Sequence, residues 1–160
     1  MGNVISVGLG ECKVSRSPDD ELVAYGLGSC LGIGMYDPVT HVAGMVHAVL
    51  PELNHNEVPS PKYVEIGINT LLDEMVRNGA VRSRIITRMA GGANMLLNGS
   101  LTQSFNIGER NATAAHQVFQ KLNIRLSAEE VGGNIGRTVR LYVSQGRMTV
   151  RVVGGKEHDL

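Results

Sequence analysis

Short, mainly apolar segments alternate with polar and glycine-rich turn residues in the first part of the chain, a pattern typical of short β-strands. Three short segments of this kind precede residue 26: Val4–Val7, Cys12–Ser15 and Glu21–Tyr25. Glycines and the sequence Ser17-Pro18-Asp19-Asp20 separate these segments, and residues of these types mark turns. The pattern therefore predicts short strands that are joined by tight reversals.

Two longer apolar segments follow, and together they predict a β-hairpin. Residues Ser29–Tyr36 and His41–Leu50 flank the sequence Asp37-Pro38-Val39-Thr40, whose composition is typical of a turn between antiparallel strands. Pro51 ends the second segment, because proline cannot continue a paired ladder. In such a hairpin the beginning of the first strand lies beside the end of the second strand.

Helical periodicity is present in two further segments. The first runs from Lys62 to a stop at Gly79, with Ser60 as the expected N-cap and Pro61 at the first helical position. The second covers Glu109–Leu122. Additional strands are predicted at residues Ser83–Met89, Ile124–Val131, Arg137–Ser144 and Met148–Val153.

The order of these elements predicts the fold class. Strands dominate both ends of the chain and two helices lie between them, which is not the regular alternation of a doubly wound parallel sheet. No linker or repeat divides the chain. We therefore predict a single domain over residues 1–160, with an α+β fold. The expected architecture is a layered α/β/β sandwich of mainly antiparallel strands with two main helices.

Composition and charge restrict the possible partners and the location. Hydrophobic residues make up 42% of the 160 residues and charged residues 19%, which is typical of a soluble globular domain. Fifteen basic residues balance fifteen acidic ones, which argues against nucleic acid or an anionic membrane surface as partner. No apolar segment approaches the roughly 20 residues of a membrane span, and no secretory signal is visible. With two cysteines outside any CxxC spacing, we expect a cytoplasmic protein without membrane insertion.

The segment Gly26-Leu27-Gly28-Ser29-Cys30-Leu31-Gly32 carries the most chemical information. A cysteine between a glycine-rich loop and a strand has backbone N–H groups beside its sulfur, which can lower the thiol pKa and stabilise an oxyanion. The predicted hairpin brings His47 next to Cys30, and an imidazole in contact with a thiol can accept its proton. We therefore predict Cys30 as nucleophile and His47 as base. The expected backbone support for the oxyanion comes from Gly28, Ser29 and Leu31.

Other interpretations of the same residues remain open at this point. A lone cysteine in a β-rich protein is usually a small buried hydrophobe, and a lone strand histidine is usually structural. Cys12 has no histidine nearby in the sequence, which favours the buried role for it. Two other motifs are excluded: a nucleophile elbow at Cys30 requires a following helix, but the next residues are β-like, and a dinucleotide fingerprint requires glycine where the chain has Leu31. The cysteines and histidines lack zinc spacing, so we expect neither a metal nor a cofactor.

Several short motifs resemble the CheD family, the chemoreceptor glutamine deamidases of bacterial and archaeal chemotaxis. The resemblance covers roughly residues 4–153 and rests on six motifs in family order. They are Gly26-Leu27-Gly28-Ser29-Cys30, His47-Ala48-Val49-Leu50-Pro51, Lys62-Tyr63, Gly91-Gly92-Ala93-Asn94-Met95, Ile107-Gly108-Glu109-Arg110-Asn111 and Gly132-Gly133-Asn134-Ile135-Gly136-Arg137. Each motif alone is weak, but the six together with the cysteine-to-histidine spacing are specific.

The resemblance implies an activity and partners. It implies deamidation of selected glutamines on methyl-accepting chemotaxis receptors, with Cys30 as nucleophile and His47 as base, and a CheC-like phosphatase as a second partner. The family commonly has a threonine, the third member of its catalytic group, six residues before the cysteine; this chain has Ala24 there. The His47 imidazole must therefore be oriented by a backbone carbonyl, a water or another side chain.

Two rival hypotheses follow from the same residues. The first is a non-catalytic chemotaxis adaptor that binds receptors or a CheC-like phosphatase without turnover, and Ala24 is its support. The second is a small-molecule cysteine amidase that uses the same cysteine and histidine.

Overall fold

The computed structural model describes residues 2–95 and 106–160. Its strands and α-helices, in chain order, are β1 (Val4–Ser6), β2 (Cys12–Ser15), β3 (Glu21–Leu27), β4 (Leu31–Tyr36), β5 (Ala43–Ala48), α1 (Val64–Arg77), β6 (Ile86–Gly91), α2 (Ile107–Lys121), β7 (Leu126–Val131), β8 (Arg137–Tyr142), β9 (Arg147–Val152) and β10 (His158–Asp159). A short 3₁₀ turn at Arg82–Arg84 precedes β6.

The strands form two five-stranded sheets. The inner sheet has the order β2-β5-β4-β6-β7 and the outer sheet the order β1-β3-β8-β9-β10. Neighbouring strands are antiparallel except in the pairs β1–β3 and β6–β7. Helices α1 and α2 pack on the inner sheet, on the face opposite to the outer sheet. The layer order is therefore helix, sheet, sheet, and the predicted α/β/β sandwich with mainly antiparallel strands is confirmed.

Two apolar cores separate the three layers. One lies between the helices and the inner sheet, and the other lies between the two sheets. Every residue of β4 and β5 is buried, because both faces of these central strands are covered. A strand that is buried on both faces carries few polar residues on either side. This explains the continuous apolar character of the predicted hairpin.

Glycines in the central strands allow the layers to approach one another. A Cβ atom on Gly34 would lie 2.9 Å from the Met148 sulfur of the outer sheet. A Cβ atom on Gly44 would lie 2.7 Å from Leu71 Cδ1 of α1. Glycine inside a strand commonly marks such a close approach.

The predicted start of α1 is wrong. Tyr63, not Ser60, is the residue that precedes the first helical turn, and its backbone is extended. Tyr63 forms a parallel bridge with Leu50, and the Lys62 carbonyl accepts hydrogen bonds from the Val49 and Leu50 N–H groups. The chain around residue 62 therefore pairs with the end of β5, and this pairing delays the helix to Val64. Strand β10 was not predicted, because two exposed residues provide no periodicity.

The turn between β4 and β5 is held by a buried carboxylate. The Asp37 side chain is fully buried and accepts hydrogen bonds from the Arg84 guanidinium at 2.9 and 3.1 Å. It also accepts hydrogen bonds from the N–H groups of Val39 and Val81. Burial by itself would raise the pKa of Asp37, but Arg84 and the backbone donors outweigh it and hold the pKa well below its ordinary value.

We expect Asp37→Asn to lower the free energy of unfolding by about 2–3 kcal/mol at neutral pH, because the partly exposed Arg84 guanidinium and two backbone N–H donors lose a buried charged acceptor. Since the folded-state pKa lies below the unfolded one, this contribution is complete above about pH 4 and is lost as the pH falls through the folded pKa. Urea unfolding at pH 7 and pH 3 measures it. Exposed Asp73→Asn on α1 is the control and should change stability by less than about 0.5 kcal/mol. An equal loss of unfolding free energy at pH 7 and pH 3 would contradict the stabilising role of the ionised Asp37 carboxylate.

Candidate active site

The register of the hairpin places Cys30 and His47 on the same face of the inner sheet. His47 lies directly opposite Gly32, and Leu31 lies opposite Ala48. Cys30 lies in the bend just before β4, and its side chain packs against the core between the two sheets, on the side to which His47 projects. The predicted strand start at Ser29 is two residues early, because residues 28–30 form a bend before β4.

That shared face points toward the outer sheet. A Cβ atom on Gly32 would lie within 4 Å of Leu27, Ala24 and Val139, all of which belong to β3 or β8. Cys30 itself packs against the core between the two sheets. The two predicted catalytic side chains therefore lie between the sheets, at the open end of the hairpin.

The imidazole of His47 has a defined orientation. Its Nδ1 lies 2.9 Å from the Val7 carbonyl oxygen, and a carbonyl oxygen only accepts hydrogen bonds, so Nδ1 carries the proton. The Gly10 N–H and the Glu11 carbonyl hold the His47 backbone at 2.9 and 3.0 Å. In the neutral ring, Nε2 then has a free lone pair. This Nε2 atom is buried and makes no hydrogen bond within residues 2–95 and 106–160.

The Val7 carbonyl supplies the orienting contact that Ala24 cannot make. Ala24 is fully buried in β3, and its methyl group lies 3.7 Å from the Cβ position of Gly32, the residue opposite His47. The side chain at position 24 is therefore close to His47 but offers no hydroxyl group. Of the three substitutes expected for the family threonine, a backbone carbonyl holds the ring.

Burial and the backbone shift the pKa of Cys30 in opposite directions. Burial raises the pKa of the thiol, and the Cys30 N–H group opposes this effect only in part. Loss of water around the thiolate has the larger effect. No hydrogen bond joins the thiol to His47 Nε2 in this part of the chain. The resting thiol is protonated and requires a base.

The backbone around Cys30 is held by the end of β6. The Gly92 N–H donates to the Cys30 carbonyl at 2.9 Å, and the Ala93 N–H donates to the Gly28 carbonyl at 2.8 Å. A Cβ atom on Gly91 would lie 2.1 Å from the Cys30 oxygen, so only glycine permits this approach. Gly91 also has a positive φ of 117°, which favours glycine.

The predicted oxyanion donors differ in their availability. Leu31 is paired with Ala48 on one side and Gly91 on the other, so its backbone belongs to the sheet. No backbone carbonyl among the described residues accepts a hydrogen bond from the Ser29 or Cys30 N–H. Oxyanion support by Gly28, Ser29 and Leu31 stays a prediction, and the Cys30 N–H is a further candidate donor.

Sequence reasoning missed the part played by Asn111. This residue of α2 is fully buried, and its Nδ2 donates to the carbonyl oxygens of Ser29 and Val49, both at 2.9 Å. The available signal was a polar residue on the apolar face of the predicted helix, between Gly108 and Ala115. Only the packing of α2 on the inner sheet shows what it contacts.

Two other features lie outside this site. A surface groove of about 610 Å³ between α1 and α2 is lined by Glu52, Glu65, Arg110 and Lys121 among others, but by neither Cys30 nor His47. Of the described helices, none combines the length and the apolar character that a membrane crossing requires.

Comparison with known proteins identifies the family. The model of the family described as "CheD chemotactic sensory transduction" matches residues 49–152. A "Probable chemoreceptor glutamine deamidase CheD" of Symbiobacterium thermophilum is 44% identical over 97% of this chain and 96% of the relative. The chain belongs to the CheD family. Another CheD family member with the same description, from Pyrococcus abyssi, is 42% identical over 98% of this chain and 96% of the relative.

A solved structure shares the fold. The Bacillus licheniformis hypothetical protein YfiH matches with a TM-score of 0.51 and 14% sequence identity, over 82% of this chain and 60% of that chain. At this identity the match shows the architecture alone. The segment matched by the CheD family model begins after His47, so the geometry of Cys30 and His47 is a separate observation.

We expect iodoacetamide to alkylate Cys30 before Cys12. Burial and the nearby Glu74 carboxylate raise the pKa of Cys12 to about 11, and Cys12 faces the core beneath the helices. Only the thiolate reacts, so Cys12 should be nearly inert at pH 8. Peptide mass spectrometry during a time course measures both sites, and Cys30→Ala should leave only slow labelling. Faster labelling of Cys12 would contradict this order.

Proposed function

We propose that this protein deamidates glutamine side chains of methyl-accepting chemotaxis receptors to glutamate and releases ammonia. The observation that carries the proposal is the His47 ring, which is fixed on the Val7 carbonyl with Nε2 buried, unpaired among the described residues and on the face that carries Cys30. The description of the full-length relatives as probable chemoreceptor glutamine deamidases supports the choice of substrate.

The first half of the reaction forms a thioester. His47 Nε2 accepts the thiol proton of Cys30 as the sulfur attacks the carboxamide carbon of glutamine. The carbonyl oxygen becomes an oxyanion, which backbone N–H groups at residues 28–30 stabilise. The carbon–nitrogen bond then breaks, and the imidazolium gives its proton to the departing ammonia.

The second half releases glutamate. A water molecule enters after ammonia leaves, and His47 Nε2 accepts a proton from it as the oxygen attacks the thioester carbon. The carbon–sulfur bond breaks, and the Cys30 sulfur takes the proton back from the imidazolium. The raised pKa of Cys30 is consistent with this cycle, because the thiol is the resting form and the base is used twice.

The setting of this reaction follows from its substrate. We place the enzyme in the cytoplasm as one domain over residues 1–160, acting on the cytoplasmic part of the receptors. Its balanced charge agrees with a protein substrate rather than nucleic acid. A CheC-like phosphatase as second partner stays a prediction.

The adaptor hypothesis loses its main support in this geometry. It rested on Ala24, which cannot orient the imidazole, but the Val7 carbonyl already does so. The small-molecule amidase hypothesis predicts that free glutamine is hydrolysed at a rate that matches receptor fragments. Ammonia release from free glutamine, measured beside release from receptor fragments, makes that comparison.

Cys30→Ala should abolish deamidation of a co-expressed receptor cytoplasmic fragment, because no other group can form the thioester. Each deamidation adds about one mass unit, since oxygen replaces an amide nitrogen, and mass spectrometry resolves it. Cys12→Ala is the matched control and should keep the activity, because Cys12 faces the helix layer. Binding of the fragment without any mass shift by the wild type would favour the adaptor, and equal turnover of free glutamine would favour the amidase.

His47→Asn should reduce kcat by about 10²–10⁴-fold, the usual contribution of a general base. Asparagine offers a side-chain N–H to the Val7 carbonyl, so the fold should persist while the basic Nε2 is lost. His116→Asn on α2 is the control, because His116 is exposed and paired with Glu129. Steady-state ammonia release measures both variants, and an unchanged kcat for His47→Asn would remove the histidine from the mechanism.

A further inference from the structure

Asn111 is a buried polar residue whose amide is only partly satisfied. It is fully buried on the face of α2 that also carries Ala115 and Phe119. Its Nδ2 makes both of its available hydrogen bonds, but its buried Oδ1 accepts none among the described residues. An unpaired buried acceptor costs about 1–3 kcal/mol. Stability alone is therefore a poor reason for an asparagine at this position.

The two carbonyl groups that Asn111 binds lie where the β4–β5 ladder ends. The last pair of that ladder is Leu31 with Ala48, and one further step would place Cys30 opposite Val49. The strands instead separate there, and the Asn111 amide bridges the Ser29 and Val49 carbonyls. This bridge ties the residue before Cys30 to the strand that carries His47.

The hydrogen bond to Ser29 also sets the direction of the Cys30 N–H. The peptide bonds of the described chain are all trans, and in a trans peptide the C=O and N–H point in opposite directions. Because the Ser29 carbonyl points at Asn111, the Cys30 N–H points away from Asn111, and no described backbone carbonyl accepts it. The next peptide plane is held by the Gly92 N–H on the Cys30 carbonyl. Both planes that flank the reactive cysteine are thus fixed.

We propose that Asn111 is a positioning residue that orients the Ser29–Cys30 peptide so that the Cys30 N–H stabilises the oxyanion of the substrate. This role rests on the proposed deamidase function. Asn111 contacts no reacting atom and acts through the Ser29 carbonyl. Its contribution is largest when negative charge develops on the substrate oxygen, so it affects the acyl-transfer step more than the intrinsic reactivity of the Cys30 thiolate. The same N–H also lowers the pKa of the Cys30 thiol, so the ionisation of the thiol is separated from this effect in the test.

The test compares two reactions of the same thiol in Asn111→Leu, a variant of similar size without the amide. Deamidation of a receptor fragment builds an oxyanion, and we expect kcat to fall about 10²–10³-fold, as for loss of an oxyanion donor. Alkylation of Cys30 by iodoacetamide displaces iodide and builds no oxyanion, so the limiting rate at high pH, where the thiol is fully ionised, should stay within about threefold of the wild-type rate. KM should likewise stay within about threefold.

Val118→Ala is the matched control for damage to α2. Val118 is buried on the same helix and packs in the helix-facing core, so its truncation weakens packing without touching the Cys30 loop. This variant should keep kcat within about threefold of the wild type. Should Asn111→Leu fail to fold by circular dichroism, Asn111→Ser carries the same comparison, because its smaller side chain leaves room for water at both carbonyls.

Several outcomes would overturn the role of Asn111. An unchanged kcat in the folded variant would remove it from the mechanism. Parallel losses of deamidation and alkylation would show a general loosening of the site instead of a loss at the oxyanion. A wild-type protein that does not deamidate receptor fragments would overturn the proposed function itself. Deamidation by the wild type is therefore measured before any variant is compared.

Discussion

The pairing of Gly32 with His47 in the β4–β5 ladder is the contact on which the site depends. Side chains alternate between the two faces of a sheet, so a slip of one residue would turn His47 toward the helices. The observed register turns it toward the outer sheet, on the face where Cys30 packs. Gly32 has no side chain, and this leaves room for Ala24, Leu27 and Val139 to cover the same region. The site therefore requires both the register and the missing side chain.

Burial affects both predicted catalytic groups. It raises the pKa of the Cys30 thiol, so the predicted nucleophile is protonated at rest. It also removes water from His47 Nε2 while the Val7 carbonyl holds the opposite side of the ring. In the proposed mechanism this buried lone pair accepts a proton first from the Cys30 thiol and later from water.

Contacts from distant parts of the chain converge on this hairpin end. Val7 orients the imidazole, Gly92 holds the Cys30 carbonyl, and Asn111 bridges the ends of β4 and β5. None of the three is close in sequence to Cys30 or His47. Glycines allow the required proximity, since a Cβ atom on Gly91 would overlap the Cys30 oxygen. The many glycines of the chain therefore have specific packing roles here and do not only form turns.

The local sequence was sufficient to predict both helices, the hairpin and every strand except β10. The turn residues Asp37–Thr40 and the flanking apolar segments predicted that Cys30 and His47 would be neighbours, because the turn sets which residues face each other. The α/β/β layering also followed from the order of strands and helices. Element boundaries were less accurate. The start of α1 depends on the bridge between Leu50 and Tyr63, which is a long-range contact.

Only the tertiary structure decided how the site is completed. The sequence showed that Ala24 lacks a hydroxyl, but not that the carbonyl of Val7 would reach Nδ1 across the layers. It placed Asn111 on the apolar side of a helix, but the carbonyls it binds are defined by how α2 docks on the inner sheet. The direction in which the pKa of Cys30 shifts also required the structure, because desolvation depends on which residues cover the thiol in space. Hydrophobic patterns and turn residues act between neighbours in the sequence, so they can be recognised in the sequence alone. Which backbone carbonyl a side chain binds, and which groups are buried, is decided only when the layers pack against each other.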